Sequence, residues 1–259
     1  VGSALPESGT DPNQEAQSAA LTVADSKRAF HATFPHVIAP LYRRIVDELL
    51  VELHLLSRQK GFQSDPLFAV GLVQVFDAFA RGYRPEAQKE LLFQALCSCS
   101  GFDASALRAS SQAARATMAE VGVNQVKQWI ERQGEGAPEP LATALASIRR
   151  QDFHYSRLMA VGLLSLLEQA RAADGMDPQE LRRYAHELGQ AMGLMQERLD
   201  KDLTLYASNL EKMAQAVELM EETLAAERRR RERQKNQTQQ DVEAATEVSA
   251  EPEGVPSAG

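Results

Sequence analysis

The sequence holds 259 residues, 44% of them hydrophobic and 25% charged, with a formal net charge of −8. This is the composition of a soluble globular protein of one or two domains with chain enough for a real core, and it excludes a low-complexity polypeptide. The longest apolar run, "LMAVGLLSLL", has about half the residues that a bilayer span requires. No signal-peptide pattern opens the sequence, which starts at Val1.

The negative charge sits at the two ends. Residues 1–20 carry Glu7, Asp11 and Glu15, residues 236–259 carry Asp241, Glu243, Glu247, Glu251 and Glu253, and neither stretch has a Lys or Arg. Those eight acids account for the whole excess. Residues 21–235 are neutral overall and lack the positive field and the aromatic–basic interleaving that nucleic acid attracts. Both ends are rich in Ser, Gly, Pro, Gln and Glu, so 1–20 and 236–259 are expected to be disordered acidic segments.

Between them the chain is punctuated as helices. "TVAD" at Thr22–Asp25 is a capping-box pattern that opens a helix near 23–32. "PLYRRIVDELLVELHLLS" predicts a helix over 40–58. Asp65-Pro66 and Asp177-Pro178 each place an N-cap ahead of a proline in the first helical position. Gly82, Gly101, Gly122, Gly134 and Gly175 follow helical patterns as terminal glycines do. Further helices are expected near 66–81, 85–99, 104–120, 123–133, 139–150, 155–173, 178–192 and 196–234. No run alternates in the manner of a strand. The fold class is therefore all-α: a multi-helix bundle of about nine to ten helices with a long, partly projecting C-terminal helix, the bundle over 21–195 and that helix over 196–235.

Three features stand out along this order. "LFAVGLVQVF" from Leu67 and "LMAVGLLSLL" from Leu158 share A-V-G-L, 91 residues apart, which reads either as an old duplication or as chance likeness of Leu/Ala-rich helices. Both segments are apolar all round and belong at the centre of the bundle. Gly71 and Gly162 inside them cost about 1 kcal/mol each against Ala, a cost that close approach of a neighbouring helix would justify. Cys97 and Cys99 stand two apart, where a disulfide would be strained and no second ligand pair completes a zinc site. Two reduced thiols in a helix and a reducing compartment are expected. Trp129 is expected to be half-buried.

The helix at 40–58 raises the chemical question. Leu41, Tyr42, Ile45, Val46, Leu49, Leu50, Leu53 and Leu56 fill one half of its wheel. Arg43, Arg44, Asp47, Glu48, Glu52 and His54 fill the other, yet Val51 and Leu55 sit in the middle of that charged half. Glu48, Glu52 and His54 have the residue types of a carboxylate metal or acid–base site. No Glu-x-x-His, H-E-x-x-H, G-x-S-x-G, P-loop or G-x-G-x-x-G pattern supports one, and His31, His36, His154 and His186 are scattered. The plainer reading makes Arg43–Asp47 and Arg44–Glu48 surface pairs. It leaves Val51 and Leu55, rimmed by Glu48 and Glu52, as a candidate partner surface. "HYSR" at His154–Arg157 reads as a hydrogen-bonded loop anchor ahead of a buried helix, or otherwise as a binding surface.

The last helix carries an a/d seam: Leu199, Leu203, Tyr206, Leu210, Met213, Val217, Met220 and Leu224 are spaced alternately 4 and 3. Its first half is expected to lie on the bundle. After Leu224 comes "ERRRRERQK", in which Arg228, Arg229, Arg230, Arg231 and Arg233 form a second candidate surface, for an acidic protein face or an anionic lipid surface.

Six blocks together carry a family resemblance: "TVADSKRAFH", "IAPLYRRIVDELLVELHLLS", "DPLFAVGLVQVFDAFARGYRPE", "ALCSCSGFD", "HYSRLMAVGLLSLLE" and "DKDLTLYASNLEKMAQAVELMEETLAAERRRRER". Over about residues 21–235 the chain resembles the thylakoid formation protein family, also called the photosystem II biogenesis family, of cyanobacteria and plastids. The resemblance is weakest over 105–150 and closer to the cyanobacterial members. It implies an all-helical auxiliary factor, not an enzyme, with no catalytic residues, no metal and no cofactor. The implied partner is the membrane-bound FtsH-class protease complex of photosystem II repair, whose accumulation the family supports. The implied location is the periphery of the thylakoid membrane, on its cytoplasmic or stromal side. Plant members are linked as well to thylakoid vesicle organisation and to sugar signalling through a heterotrimeric G protein. Neither nucleic acid nor a small-molecule substrate is expected. The competing classes are a lipid-surface or thylakoid-organising protein and, more remotely, a helical carboxylate metal enzyme.

Overall fold

The computed structural model describes residues 22–151, 153–170 and 175–248, with side chains as far as Gln240. Among the described residues there are ten α-helices and no strand. They are α1 (Val23–Thr33), α2 (Pro40–Arg58), α3 (Pro66–Phe79), α4 (Ala87–Ser98), α5 (Ala104–Ala119), α6 (Val123–Glu131), α7 (Leu141–Ser147), α8 (Arg157–Gln169), α9 (Pro178–Ala191) and α10 (Gln196–Val248). Of the segments expected to be disordered, 1–20 lies outside the described residues, as does 249–259 of the acidic tail expected over 236–259; residues 236–248 of that tail are described, and they are helical instead.

Local chemistry sets where these helices begin. The Thr22 hydroxyl accepts from the Asp25 amide while the Asp25 carboxylate accepts from the Thr22 amide at 2.7 Å, completing the capping box. Asp65, Asp103, Ser156 and Asp177 cap α3, α5, α8 and α9 more simply, each side chain accepting from one first-turn backbone amide. Gly122 departs from expectation. It has an extended backbone and opens α6 instead of closing α5.

The described residues up to Leu210 make one compact unit. At its centre α3 crosses α8, with α5 on both and α9 against α8. Every residue from Pro66 to Val73 and from Leu158 to Leu167 is buried. The crossing is reciprocal. A methyl group on Gly71 would strike the Leu158 carbonyl, and one on Gly162 would strike the Leu67 carbonyl. Leu67–Gly71 and Leu158–Gly162 therefore meet backbone to backbone, each glycine four residues beyond the carbonyl that the other faces. Elsewhere α1 lies on α2 and α4, with Phe30, Phe34, Leu49, Leu50 and Leu53 all but inaccessible. Trp129 is also core, at 5% exposure, because its helix α6 packs against α7 and α9; the expected half-burial is corrected. Cys97 and Cys99 are free thiols at the end of α4, and burial pushes the Cys97 thiol up to about 12.

The first turns of α10 complete this unit through the buried Leu199 and Leu203. From Glu211 onward α10 forms the second unit, a single helix in which Leu219 and Leu224 are exposed. It does not stop near 234 but runs to Val248. The added stretch "NQTQQDVEAATEV" contains neither Gly nor Pro and includes several good helix formers, so lack of a buried face does not terminate it.

Two measurements test this account. Gly71→Ala or Gly162→Ala gains about 1 kcal/mol of helix propensity but forces two backbones apart, and a net loss of about 2 kcal/mol in urea unfolding is expected. A neutral Gly162→Ala would show that the helices are not in contact there. Asp65 gives a pH signature, since burial pushes its carboxyl up to about 6 from an ordinary 3.8. The folded state then holds this proton longer than the unfolded one, so its contribution to stability falls as pH rises from about 4 to about 6. Asp65→Asn keeps the cap and removes the slope. It is expected to gain on the parent across that window by up to about 3 kcal/mol.

Candidate functional site

Helix α2 presents one strip that α1 does not cover. Leu55 on it is 59% exposed and Val51 is half-buried. Beside this strip run the loop Phe153–Ser156, the start of α8 and the first turns of α10. Together they border an open groove of about 890 Å³. Val51, Leu55, Leu56, Phe153 and Tyr155 form its apolar part, and Asp47, Glu48, Glu52, Arg157, Arg198 and Asp202 its charged rim. Four candidates from the sequence, Glu48, Val51, Glu52 and Leu55, thus share one groove.

The loop beside α2 is tied down residue by residue. His154 Nε2 donates to the Lys60 carbonyl at 2.9 Å, just past the end of α2. The Tyr155 hydroxyl donates to Asp202 on α10 at 2.9 Å, and the Arg198 guanidinium stands over the Tyr155 ring at 4.8 Å. Ser156 caps α8 through the Met159 amide. Arg157 reaches back to α2, with Nε and Nη2 both 2.7 Å from Glu52 Oε2. The loop is the hydrogen-bonded anchor that "HYSR" suggests, and it is also a groove wall. Burial lifts the Glu52 carboxyl above its ordinary range, Arg157 pulls it down, and Asp202 and Glu48 add to the rise. Burial and the Asp202 carboxylate hold the Tyr155 hydroxyl protonated well above its ordinary value.

Two sequence readings change. His54 does not belong with Glu48 and Glu52. It is 4% exposed, on the α1 side of α2, with Nδ1 2.8 Å from the Ser26 hydroxyl. Ser26 is 3% exposed, so this Ser–His pair is closed to any substrate. Asp47 pairs with Lys27 of α1 at 3.1 Å instead of Arg43, whereas Arg44–Glu48 forms as expected at 2.9 Å. Among the described residues no group of three His, Cys, Asp or Glu side chains could hold a metal ion. Arg228, Arg229, Arg230, Arg231 and Arg233 are all exposed on α10, with Arg231 4.0 Å from Glu227. Arg198 and Asp202 escaped sequence reasoning. They lie off the a/d seam, and nothing local distinguishes them from solvated charges.

These features define an all-helical protein with an apolar-floored groove whose charged rim is paired within itself at Glu52–Arg157 and Tyr155–Asp202. Residues 22–235 match the family model described as "Thylakoid formation protein", and the chain belongs to that family. It is 54% identical to Protein Thf1 of Prochlorococcus marinus (strain MIT 9313) over 238 residues, covering 88% of this chain and 98% of that protein. It is 52% identical to Protein Thf1 of Synechococcus sp. (strain CC9605) over 218 residues, covering 83% and 94%. The solved structure of Psb29 superposes with a TM-score of 0.71 at 34% identity, covering 82% of this chain and 98% of that one. Among the described residues no helix is long and apolar enough to cross a membrane.

Neighbouring residues separate groove from core. Leu55→Asp is expected to leave the melting temperature unchanged. Leu56→Ala, at a position only 7% exposed, is expected to cost about 3 kcal/mol. Unfolding of the Leu55→Asp protein would place that strip in the core.

Proposed function

We propose that this chain is a non-enzymatic auxiliary factor for photosystem II biogenesis and repair that docks on the membrane-bound FtsH-class protease complex and supports its accumulation. The observation that carries the reading is the groove. An aliphatic strip, half-buried Val51 and exposed Leu55, lies beside the Glu52–Arg157 ion pair and the Tyr155–Asp202 hydrogen bond, so a partner can cover it without stranding those charges unpaired. Family membership supports the thylakoid context. The site keeps its carboxylates in ion pairs and hydrogen bonds, and the Ser26–His54 pair lies buried outside it, which suits recognition better than acid–base chemistry.

The test is affinity capture of the tagged protein from mildly solubilised photosynthetic membranes. Stoichiometric recovery of the protease with the parent, lost with Val51→Asp plus Leu55→Asp, is the expected result. Recovery of the chain with lipid alone would overturn it.

A second reading, peripheral attachment to the membrane, is favoured by the exposed run Arg228–Arg233. Flotation with anionic vesicles is expected to weaken as salt rises and to vanish when Arg228 to Arg231 are replaced by Ser, with no change in melting temperature.

A further inference from the structure

The groove has more acid than base. Asp47, Glu48, Glu52 and Asp202 face two guanidinium groups, Arg157 and Arg198, and Arg157 is committed to Glu52. The Lys27 and Arg44 contacts of Asp47 and Glu48 lie on the surface, where such pairs are worth little and a better-placed cation can replace them. Beside these acids lies the bare side of Leu55. A complementary segment would therefore be helical, with cations at helical spacing and an aliphatic residue among them. This chain contains such a segment. Leu224, Arg228, Arg231 and Lys235 fall on one face of α10, and all four are exposed.

We propose that the groove of one copy seats the Leu224–Lys235 stripe of a second copy, so that the chain self-associates by reciprocal groove-to-helix contacts. Two-fold closure lets each copy give and receive one stripe. The proposal rests on the groove being a docking site, as above. It makes self-association and partner docking competitors for the same surfaces.

Sedimentation of the full chain across a concentration series tests it. The average mass is expected to rise above 28.5 kDa with concentration. The association constant is expected to fall at least about tenfold between about 50 mM and about 500 mM salt. Asp47→Lys with Glu48→Lys is expected to stay monomeric. So is the variant with Arg228, Arg229, Arg230 and Arg231 each changed to Glu. An equimolar mixture of the two is expected to associate again, because each groove then faces a helix of opposite charge. A parent that stays at 28.5 kDa throughout, association that neither variant weakens, or a mixture that stays monomeric would each overturn the proposal. Loss of protease capture in the groove variant of a parent that never self-associates would leave the adaptor reading standing and this one fallen. Self-association without capture would do the reverse.

Discussion

The contact on which the rest depends is the crossing of α3 and α8 at Gly71 and Gly162. It is a backbone contact, so it has little freedom to relax. The Leu158 carbonyl rests where a side chain of residue 71 would be, and the Leu67 carbonyl rests where one of residue 162 would be. This fixes the first turn of α8 on the first turns of α3. Arg157 is the residue just before Leu158, and it is the one that grips Glu52 on α2. The groove wall is thus held by a steric constraint in the middle of the core, one residue away from its principal ion pair.

That arrangement explains why a loop can serve as a wall. Loops usually carry the mobility of a fold, because their backbone groups are satisfied by water. Here consecutive side chains of 154–157 each find a partner on a different part of the chain: the end of α2, α10, the amide of Met159, and α2 again. The charged rim follows the same rule. Glu52 is raised by burial, and Arg157 offsets that cost only because both of its contacts to Oε2 are short. Remove the guanidinium and a mostly buried carboxylate is left beside Glu48 and Asp202. The pair is better understood as a spacer between α2 and α8 than as a source of stability.

Much of this was legible in the sequence, and the parts that were not have a common cause. Helix starts were readable because Thr22, Asp65 and Asp177 act on backbone amides two or three residues away. The central helices were readable because nothing polar interrupts Leu158–Leu164. Val51 and Leu55 stood out because they break a charged face. What failed to show is what depends on contacts between distant residues. His54 looked like a surface residue by its angle on the wheel. The hydroxyl that buries it comes from Ser26, on another helix. Asp202 and Arg198 had no signal, since their role exists only where α10 meets the loop carrying Tyr155. The end of α10 was misplaced for a different reason: a missing apolar face predicts solvation, not unwinding, and residues 236–248 contain no helix breaker.

A rigid groove also bears on how strongly it can bind. Ordering a flexible surface on association costs roughly 0.5–1.5 kcal/mol for each long side chain immobilised. The rim residues Glu52, Arg157, Tyr155 and Asp202 are already held by one another. Much of that cost would therefore fall on folding instead of on any association. Leu55 is then the point of greatest gain, because it is the large apolar side chain of the strip left more than half exposed. An incoming aliphatic group that covers it meets charges whose partners are in place, so little is lost by excluding water around them. Asp47 and Glu48 alone hold loose surface pairs, and that difference along the rim gives the groove a direction: neutralised at the α8 end, open to a cation at the other.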